Sequence, residues 1–141
     1  MNENENPIKV DVTPTTATTF NIPEKFRTVM VFLTVKIKLL DEGWLFAASN
    51  SVLLELNQLY PERAPEPVDL KLERGTSLHG KRLFVHSHVS RFRNGSETPD
   101  PSRVEYKLIF EGGDDLIDEF TVVSDRKNPS DFNSFIQFNQ L

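Results

Sequence analysis

Cysteine is absent from the sequence, and its absence excludes several kinds of chemistry at once. A chain without thiols forms no disulfide bond, no thiolate metal site and no cysteine nucleophile. Proteins of reducing compartments commonly lack disulfides. We therefore expect a cytoplasmic protein whose fold rests on its hydrophobic core.

The first residues do not have the pattern expected of a secretory leader, and the sequence contains no long apolar run. The first residues, MNENENPIKV, contain neither the basic stretch nor the apolar stretch of a signal peptide. The longest apolar-rich segment, residues 29–40, is interrupted by lysines and is shorter than the roughly 20 residues that span a bilayer as a helix. Both absences predict a chain with no membrane span.

The sequence contains fewer basic than acidic residues. It has 16 Lys and Arg residues and 21 Asp and Glu residues, which give a formal net charge of −5. A dedicated nucleic-acid-binding domain normally has a strongly basic surface, so we expect no nucleic-acid partner. The basic residues of the middle third are typical of charged surface strands, with a groove for single-stranded nucleic acid as the alternative. They are Arg74, Lys81, Arg82, Arg91, Arg93, Arg103 and Lys107.

Alternating hydrophobicity is what the sequence has in abundance. In TVMVFLTVKIKLL every second residue from Val29 to Leu39 is apolar, which is the period of a strand with one buried face. Further segments predicted as strands are VDLKLERG, KRLFVHSHVSRF, SRVEYKLIFEGG, EFTVVSD and FNSFIQFNQL. The 11 phenylalanines predict a core with large apolar side chains.

These segments predict the fold class. About seven short strands without strand–helix alternation indicate an all-β, single-domain antiparallel β-sandwich. We expect the domain to span residues 8–141, with a strand near residues 8–13, after a disordered tail at residues 1–7.

The segment SNSVLLELNQLYPE has two readings. As a helix it places Val52, Leu56 and Leu59 on one face and ends at the following proline. As a strand it alternates Val52, Leu54 and Leu56. We favour the first reading and expect one short helix near residues 51–60.

The segment KRLFVHSHVSRF contains the main candidate site. Strand parity sends Leu83, Val85 and Val89 to the core and the even-numbered side chains to the other face. We expect that other face to be partly covered and to form a protein-interaction surface. Its predicted residues are Phe84, His86, His88 and Phe92, flanked by Arg82, Arg91 and Arg93.

His86 and His88 also suggest a zinc site. Residues two apart on a strand lie roughly 6.5–7 Å from each other on one face, which allows two imidazoles to chelate one ion. Zinc needs at least a third protein ligand, and the outward parity of Glu105 makes it a candidate, with His79 as another. Histidine is equally compatible with a half-exposed strand face, so we expect no bound metal.

Carboxylates gather in EGGDDLIDEF, which suggests calcium as an alternative. The candidate ligands are Glu111, Asp114, Asp115 and Asp118, since hard oxygen ligands suit Ca²⁺. Their spacing is not that of an EF-hand, and the glycine pair in the segment indicates a turn between two strands. The corresponding function is a Ca²⁺-assisted lipid- or carbohydrate-binding sandwich.

No catalytic motif is present in the sequence, neither a nucleophile elbow nor a phosphate-binding loop nor an HExxH zinc motif. Ser87 lies between the two histidines, but neighbours on a strand point to opposite faces, so neither histidine activates it directly. We predict a non-enzymatic binding or structural module that acts through a protein partner or self-association, without a cofactor. A metal-dependent enzyme that uses His86 and His88 is the third hypothesis.

At the level of fold alone, the predicted architecture resembles immunoglobulin-like and C2-like sandwiches. Such a resemblance determines no activity, because one fold hosts many functions.

Overall fold

The structure is a computed structural model that describes residues 10–11, 17–93, 103–124 and 130–140. The predicted tail at residues 1–7 lies outside the described residues. In chain order the elements are β1 (Val10–Asp11), β2 (Thr18–Ile22), a 3-10 turn (Glu24–Phe26), β3 (Met30–Leu39), β4 (Trp44–Leu54), β5 (Asn57–Arg63), β6 (Leu70–Arg74), α1 (Gly75–Leu78), β7 (Arg82–Arg93), β8 (Val104–Gly112), β9 (Asp115–Ser124) and β10 (Ser130–Gln140).

The strands form two packed sheets, so the predicted all-β sandwich is confirmed. One sheet has six strands in the order β1-β10-β7-β4-β5, with β2 also paired to β10, and the other has four in the order β6-β3-β8-β9. The described pairings are antiparallel except that of β2 with β10, which is parallel. The strands are more numerous than predicted, because β2, β4 and β5 form in segments for which no strand was favoured.

Alternation along β3 places its apolar side chains in the core, as predicted. Val31, Leu33 and Val35 are fully buried, whereas Lys36 and Lys38 on the other side are exposed. The same period continues through β8, where buried and half-buried residues alternate over the whole strand. One face of each strand therefore supplies the core and the other faces outward.

Phenylalanine rings fill one region between the sheets, which confirms the expected use of large apolar side chains. Four rings meet there with centroid separations between 5.0 and 6.2 Å, in tilted and edge-to-face arrangements that aromatic pairs prefer. They are Phe20, Phe110, Phe120 and Phe138.

The helix predicted near residues 51–60 is wrong. β4 continues to Leu54, a two-residue turn follows at Glu55 and Leu56, and β5 returns antiparallel to β4. The strand reading holds as far as Leu54, because Val52 and Leu54 are buried in the core, while Leu56 is 96% exposed at the hairpin tip. β4 pairs with β7 along its whole length, and this long-range ladder overrides the local helical pattern.

The helix that does form, α1, begins at a closely packed glycine. Gly75 donates its backbone N–H to the carbonyl of Val29 at 3.1 Å. A Cβ atom added at Gly75 would lie 2.5 Å from the carbonyl oxygen of Phe26, which is closer than van der Waals contact. The chain therefore needs glycine where it passes from β6 in one sheet to β7 in the other.

Candidate functional site

β7 lies inside the six-stranded sheet and contains all seven predicted interaction residues. It pairs with β4 on one side and with β10 on the other. The predicted parity is confirmed for Leu83, Val85 and Val89, which are fully buried. We use the term outer face for the outward side chains of the three neighbouring strands β4, β7 and β10. β4 contributes Leu45, Ala47, Ser49, Ser51 and Leu53, and β7 contributes Arg82, Phe84, His86, His88, Ser90 and Phe92. β10 contributes Asp131, Asn133, Phe135 and Gln137.

One end of the outer face is apolar. In the register of the sheet, Phe84 lies between Leu53 and Phe135, and the two rings meet edge to face with 6.4 Å between their centroids. The hairpin tip adds the exposed side chain of Leu56 beside a depression of about 180 Å³. We name Leu53, Leu56, Phe84 and Phe135 the hairpin patch.

The other end of the outer face presents a second, smaller apolar group. Leu45 and Phe92 are directly opposite each other on β4 and β7, and 53% and 47% of their surfaces are exposed. We name these two residues the distal patch. Phe84 and Phe92 are about 26 Å apart along β7, from a strand rise of about 3.3 Å per residue.

A polar belt of His86, His88 and Asp131 separates the two patches. The Oδ1 atom of Asp131 lies 2.6 Å from Nδ1 of His88 and 3.4 Å from Nε2 of His86. The pKa of Asp131 is lowered from its ordinary value, mainly by the hydrogen bond from His88. Partial burial acts in the opposite direction and raises this pKa, whereas the hydrogen bond from His86 lowers it further. Hydrogen bonds to the ionised carboxylate hold both rings across the middle of the face.

The predicted association of Glu105 with the histidines is wrong. β8 belongs to the four-stranded sheet, so the outward parity of Glu105 directs its side chain to the opposite side of the sandwich. Asp131 of β10 occupies the place beside the rings that was expected for Glu105. His79 follows α1 and is exposed away from the belt. In the part of the chain that the structure describes, no group of three or more His, Asp or Glu side chains is arranged to hold a metal ion.

The three arginines predicted for the interaction surface differ in position. Arg82 is exposed, and its Nε lies 3.5 Å from a carboxylate oxygen of Glu55. The prediction that Arg91 lies on the outer face is wrong, because its odd number gives it the parity of Val89, and it is only 2% exposed. Its Nη2 donates to Oγ of Ser130 at 3.1 Å. Arg93 ends β7, and its side chain lies outside the described part of the structure.

Of the remaining basic residues of the middle third, Arg74 and Lys107 lie on the four-stranded sheet, whereas Lys81 and Arg103 directly precede β7 and β8. Three of these four contact acids. Arg74 donates from Nη1 to the carbonyl of Thr28 at 3.0 Å. Three ion pairs account for the others, and they are Lys81–Glu73, Arg103–Asp41 and Lys107–Glu119, with N–O distances of 2.5, 2.9 and 3.4 Å. Surface cations commonly pair in this way with neighbouring carboxylates.

The candidate calcium ligands lie along the hairpin of β8 and β9. Gly113, with a φ of +63°, and Asp114 form its two-residue turn, as the glycine pair predicted. Glu111 and Asp115 flank the turn on the two strands. Asp118 accepts a hydrogen bond from the backbone N–H of the next residue at 2.8 Å. The four carboxylates are thus distributed over a hairpin.

Behind the belt, Ser87 belongs to a buried polar network that parity alone did not reveal. Its hydroxyl donates to Oδ1 of Asn50 at 2.6 Å and lies 2.7 Å from the hydroxyl of Tyr106, which therefore donates to Ser87. Asn50 in turn donates to the carbonyl of Arg63 at 3.4 Å. Burial raises the pKa of Tyr106 far above its ordinary value, and its ring stacks on Phe132 at 4.3 Å. The network joins the two sheets and lies away from the outer surface.

Across residues 10–11, 17–93, 103–124 and 130–140, no helix is long and apolar enough to span a bilayer. No family model matches the chain, and neither a curated protein nor a solved structure matches it.

Proposed function

We propose that the protein is a non-enzymatic binding module that contacts another protein through the outer face of its six-stranded sheet. The observation that supports this proposal is the exposure of two apolar patches on one ordered surface. Aromatic side chains such as Phe84 and Phe92 supply large contact areas with few rotatable bonds, and interfaces are enriched in such residues. The belt between the patches supplies hydrogen-bonding groups that orient a partner.

The size of the outer face supports the same proposal. β7 contains 12 residues, so it is about 40 Å long at a rise of about 3.3 Å per residue, and three strands about 4.8 Å apart cover a width of roughly 15–20 Å with their side chains. The resulting area of roughly 600–800 Å² is close to the roughly 800 Å² that each partner buries in a specific complex.

The distal patch gives the most direct test, because its side chains are exposed and changing them leaves the core intact. We expect the double substitution Leu45→Ser and Phe92→Ser to abolish association while leaving the thermal transition close to that of the wild type. Leu116→Ser and Val123→Ser provide the matched control, since these two side chains are 55% and 50% exposed on β9 of the other sheet.

Two measurements distinguish a protein partner from self-association. Sedimentation velocity over a range of concentrations reports the oligomeric state, and affinity capture with quantitative mass spectrometry reports partners. We expect the outer-face variant to change at least one of these and the control variant to change neither. If the two variants behave identically in both assays, the outer face is not the contact surface.

A further inference from the structure

The edge of the four-stranded sheet is open along the second half of β3. β6 pairs with β3 only between Met30 and Leu33. Two residues further on, Val35 donates its backbone N–H to the carbonyl of Pro67 at 2.9 Å. Proline has no N–H with which to extend the ladder, and no strand of the described chain pairs with this edge of β3 beyond that point.

Backbone hydrogen-bonding groups line this open edge. The hydrogen-bonding groups of successive residues on a strand point alternately to its two neighbours. Since Val35 directs its N–H away from β8, Ile37 and Leu39 direct their N–H and C=O groups to the same side. Neither of them has a backbone partner on that side in the described part of the chain.

A groove borders the same edge. It has a volume of about 500 Å³ and runs between β3 and the loop that precedes β6. One of its walls carries Val68, which is 70% exposed. The charged side chains of its lining are Lys36, Lys38, Lys107, Glu66 and Glu105.

The side chains of β3 along this edge alternate in character. Ile37 and Leu39 face inward and are half-buried against the core. Lys36 and Lys38 face outward, are exposed, and make no ion pair with a described residue. Lys36 lies directly opposite Lys107 of β8, a lysine that is paired with Glu119, and Lys38 lies opposite Glu105. Lys36 is therefore a cation of this edge with no carboxylate opposite it in the register of the sheet.

We propose that this groove binds an extended peptide of alternating apolar and acidic residues as an additional strand, antiparallel to β3 in line with β6. The ladder at Ile37 and Leu39 supplies backbone hydrogen bonds, and strand addition to a sheet edge is an established mode of peptide recognition. Apolar residues of the peptide pack against Ile37 and Leu39, and an acidic residue lies beside Lys36. This surface is separate from the outer face.

The lysines also determine which strands are rejected. Lysine at a sheet edge prevents pairing with strands that carry no complementary charge. Two copies of this edge paired with each other would bring Lys36 and Lys38 against lysines, so a second copy of β3 does not fit. An acidic strand fits both the charge and the alternation of the edge.

Fluorescence anisotropy with a labelled peptide of sequence Val-Glu-Val-Glu-Val-Glu tests the proposal. We expect saturable binding that Lys36→Glu weakens by about tenfold, since the change replaces an attraction with a repulsion. Lys71→Glu is the matched control, because Lys71 is exposed on β6 at the part of the edge that is already paired, and we expect a change of less than about twofold from screening. The peptide Val-Lys-Val-Lys-Val-Lys should not bind.

Amide hydrogen exchange of the full chain provides the second readout. We expect the amides of Ile37 and Leu39 to exchange rapidly in the free protein and to gain protection when the acidic peptide is added. Protection of both amides without peptide would show that another segment of this chain occupies the edge and would overturn the proposal. Equal weakening by Lys36→Glu and Lys71→Glu, or equal binding of the lysine peptide, would also overturn it.

Discussion

Replacing Ser87 with alanine removes the central hydroxyl of the buried network between the sheets. Tyr106 then loses the acceptor at 2.7 Å and Asn50 loses the donor at 2.6 Å. Both groups are buried, and a buried polar group left without a partner costs about 1–3 kcal/mol. Two such groups together set a range of about 2–6 kcal/mol. Because Asn50 keeps its hydrogen bond to the Arg63 carbonyl, we expect Ser87→Ala to lower the free energy of unfolding by about 2–4 kcal/mol.

Tyr106→Phe tests the same network from its other end. The substitution removes one hydrogen bond but leaves the bond between Ser87 and Asn50 in place, so we expect a loss of about 1 kcal/mol. In the double variant, the Oδ1 atom of Asn50 is the one network atom that loses its hydrogen-bond donor, Ser87. The loss of the double variant should fall below the sum of the two single losses by about 1–2 kcal/mol, because the two residues share one hydrogen bond.

Urea denaturation measures all three variants, with the m-value as a check that unfolding remains two-state. Ser90→Ala is the matched control, because it makes the same change on the same strand but on the outer face, and we expect it to alter stability by less than about 0.5 kcal/mol. Strict additivity of Ser87→Ala and Tyr106→Phe, or a loss for Ser87→Ala no larger than that for Ser90→Ala, would refute the reasoning.

Three further outcomes follow from the structure. Burial raises the pKa of Tyr106 in the folded protein above the ordinary value of 10.0. As the pH rises, the tyrosine hydroxyl therefore ionises in the unfolded chain before it ionises in the folded chain. The wild type should accordingly lose stability relative to Tyr106→Phe above pH 10. The hydrogen bond from His88 lowers the pKa of Asp131 below 3.8, so Asp131→Asn should cost less than about 1 kcal/mol at pH 5 and nothing at a pH below the lowered pKa. Gly75→Ala forces a Cβ to within 2.5 Å of the Phe26 carbonyl oxygen and should cost about 1–3 kcal/mol.

Denaturation at several pH values checks the first two outcomes, and thermal unfolding checks the third. A stability difference between the wild type and Tyr106→Phe that does not change above pH 10 would contradict the effect of burial on Tyr106. A penalty for Asp131→Asn that persists at the acidic end would show that the carboxylate charge is not its source. For Gly75, the nearby exposed Ser77 gives the control substitution Ser77→Ala, which should leave the transition unchanged.

Strand parity carried most of the successful sequence-based prediction. Side chains alternate by covalent geometry, so the burial of Leu83, Val85 and Val89 followed from the pattern of β7 alone. The position of Arg91 followed from the same rule, but its charge suggested a surface site and the prediction was wrong. Its burial follows from its parity with Val89, which carries it to the inward side of β7.

Sheet membership could not be predicted from the same pattern. Glu105 and Asp131 both have outward parity, but only Asp131 lies beside the histidines, because β10 and not β8 pairs with β7. Which strands become neighbours depends on packing between distant parts of the chain. The segment at residues 51–60 shows the same limit, since its helical periodicity was overridden by the ladder that β4 forms with β7.

The position of β10 has a consequence for the order of folding. β10 pairs with β7 on one side and with both β1 and β2 on the other, so among the described residues β1 and β2 join the six-stranded sheet through β10. During synthesis, β7 is made long before the strand that covers its second edge. Sequence-distant pairings of this kind slow folding, and until β10 arrives a nascent chain exposes the N–H and C=O groups along β7. Until then, that edge is a template with which a strand of another chain can pair.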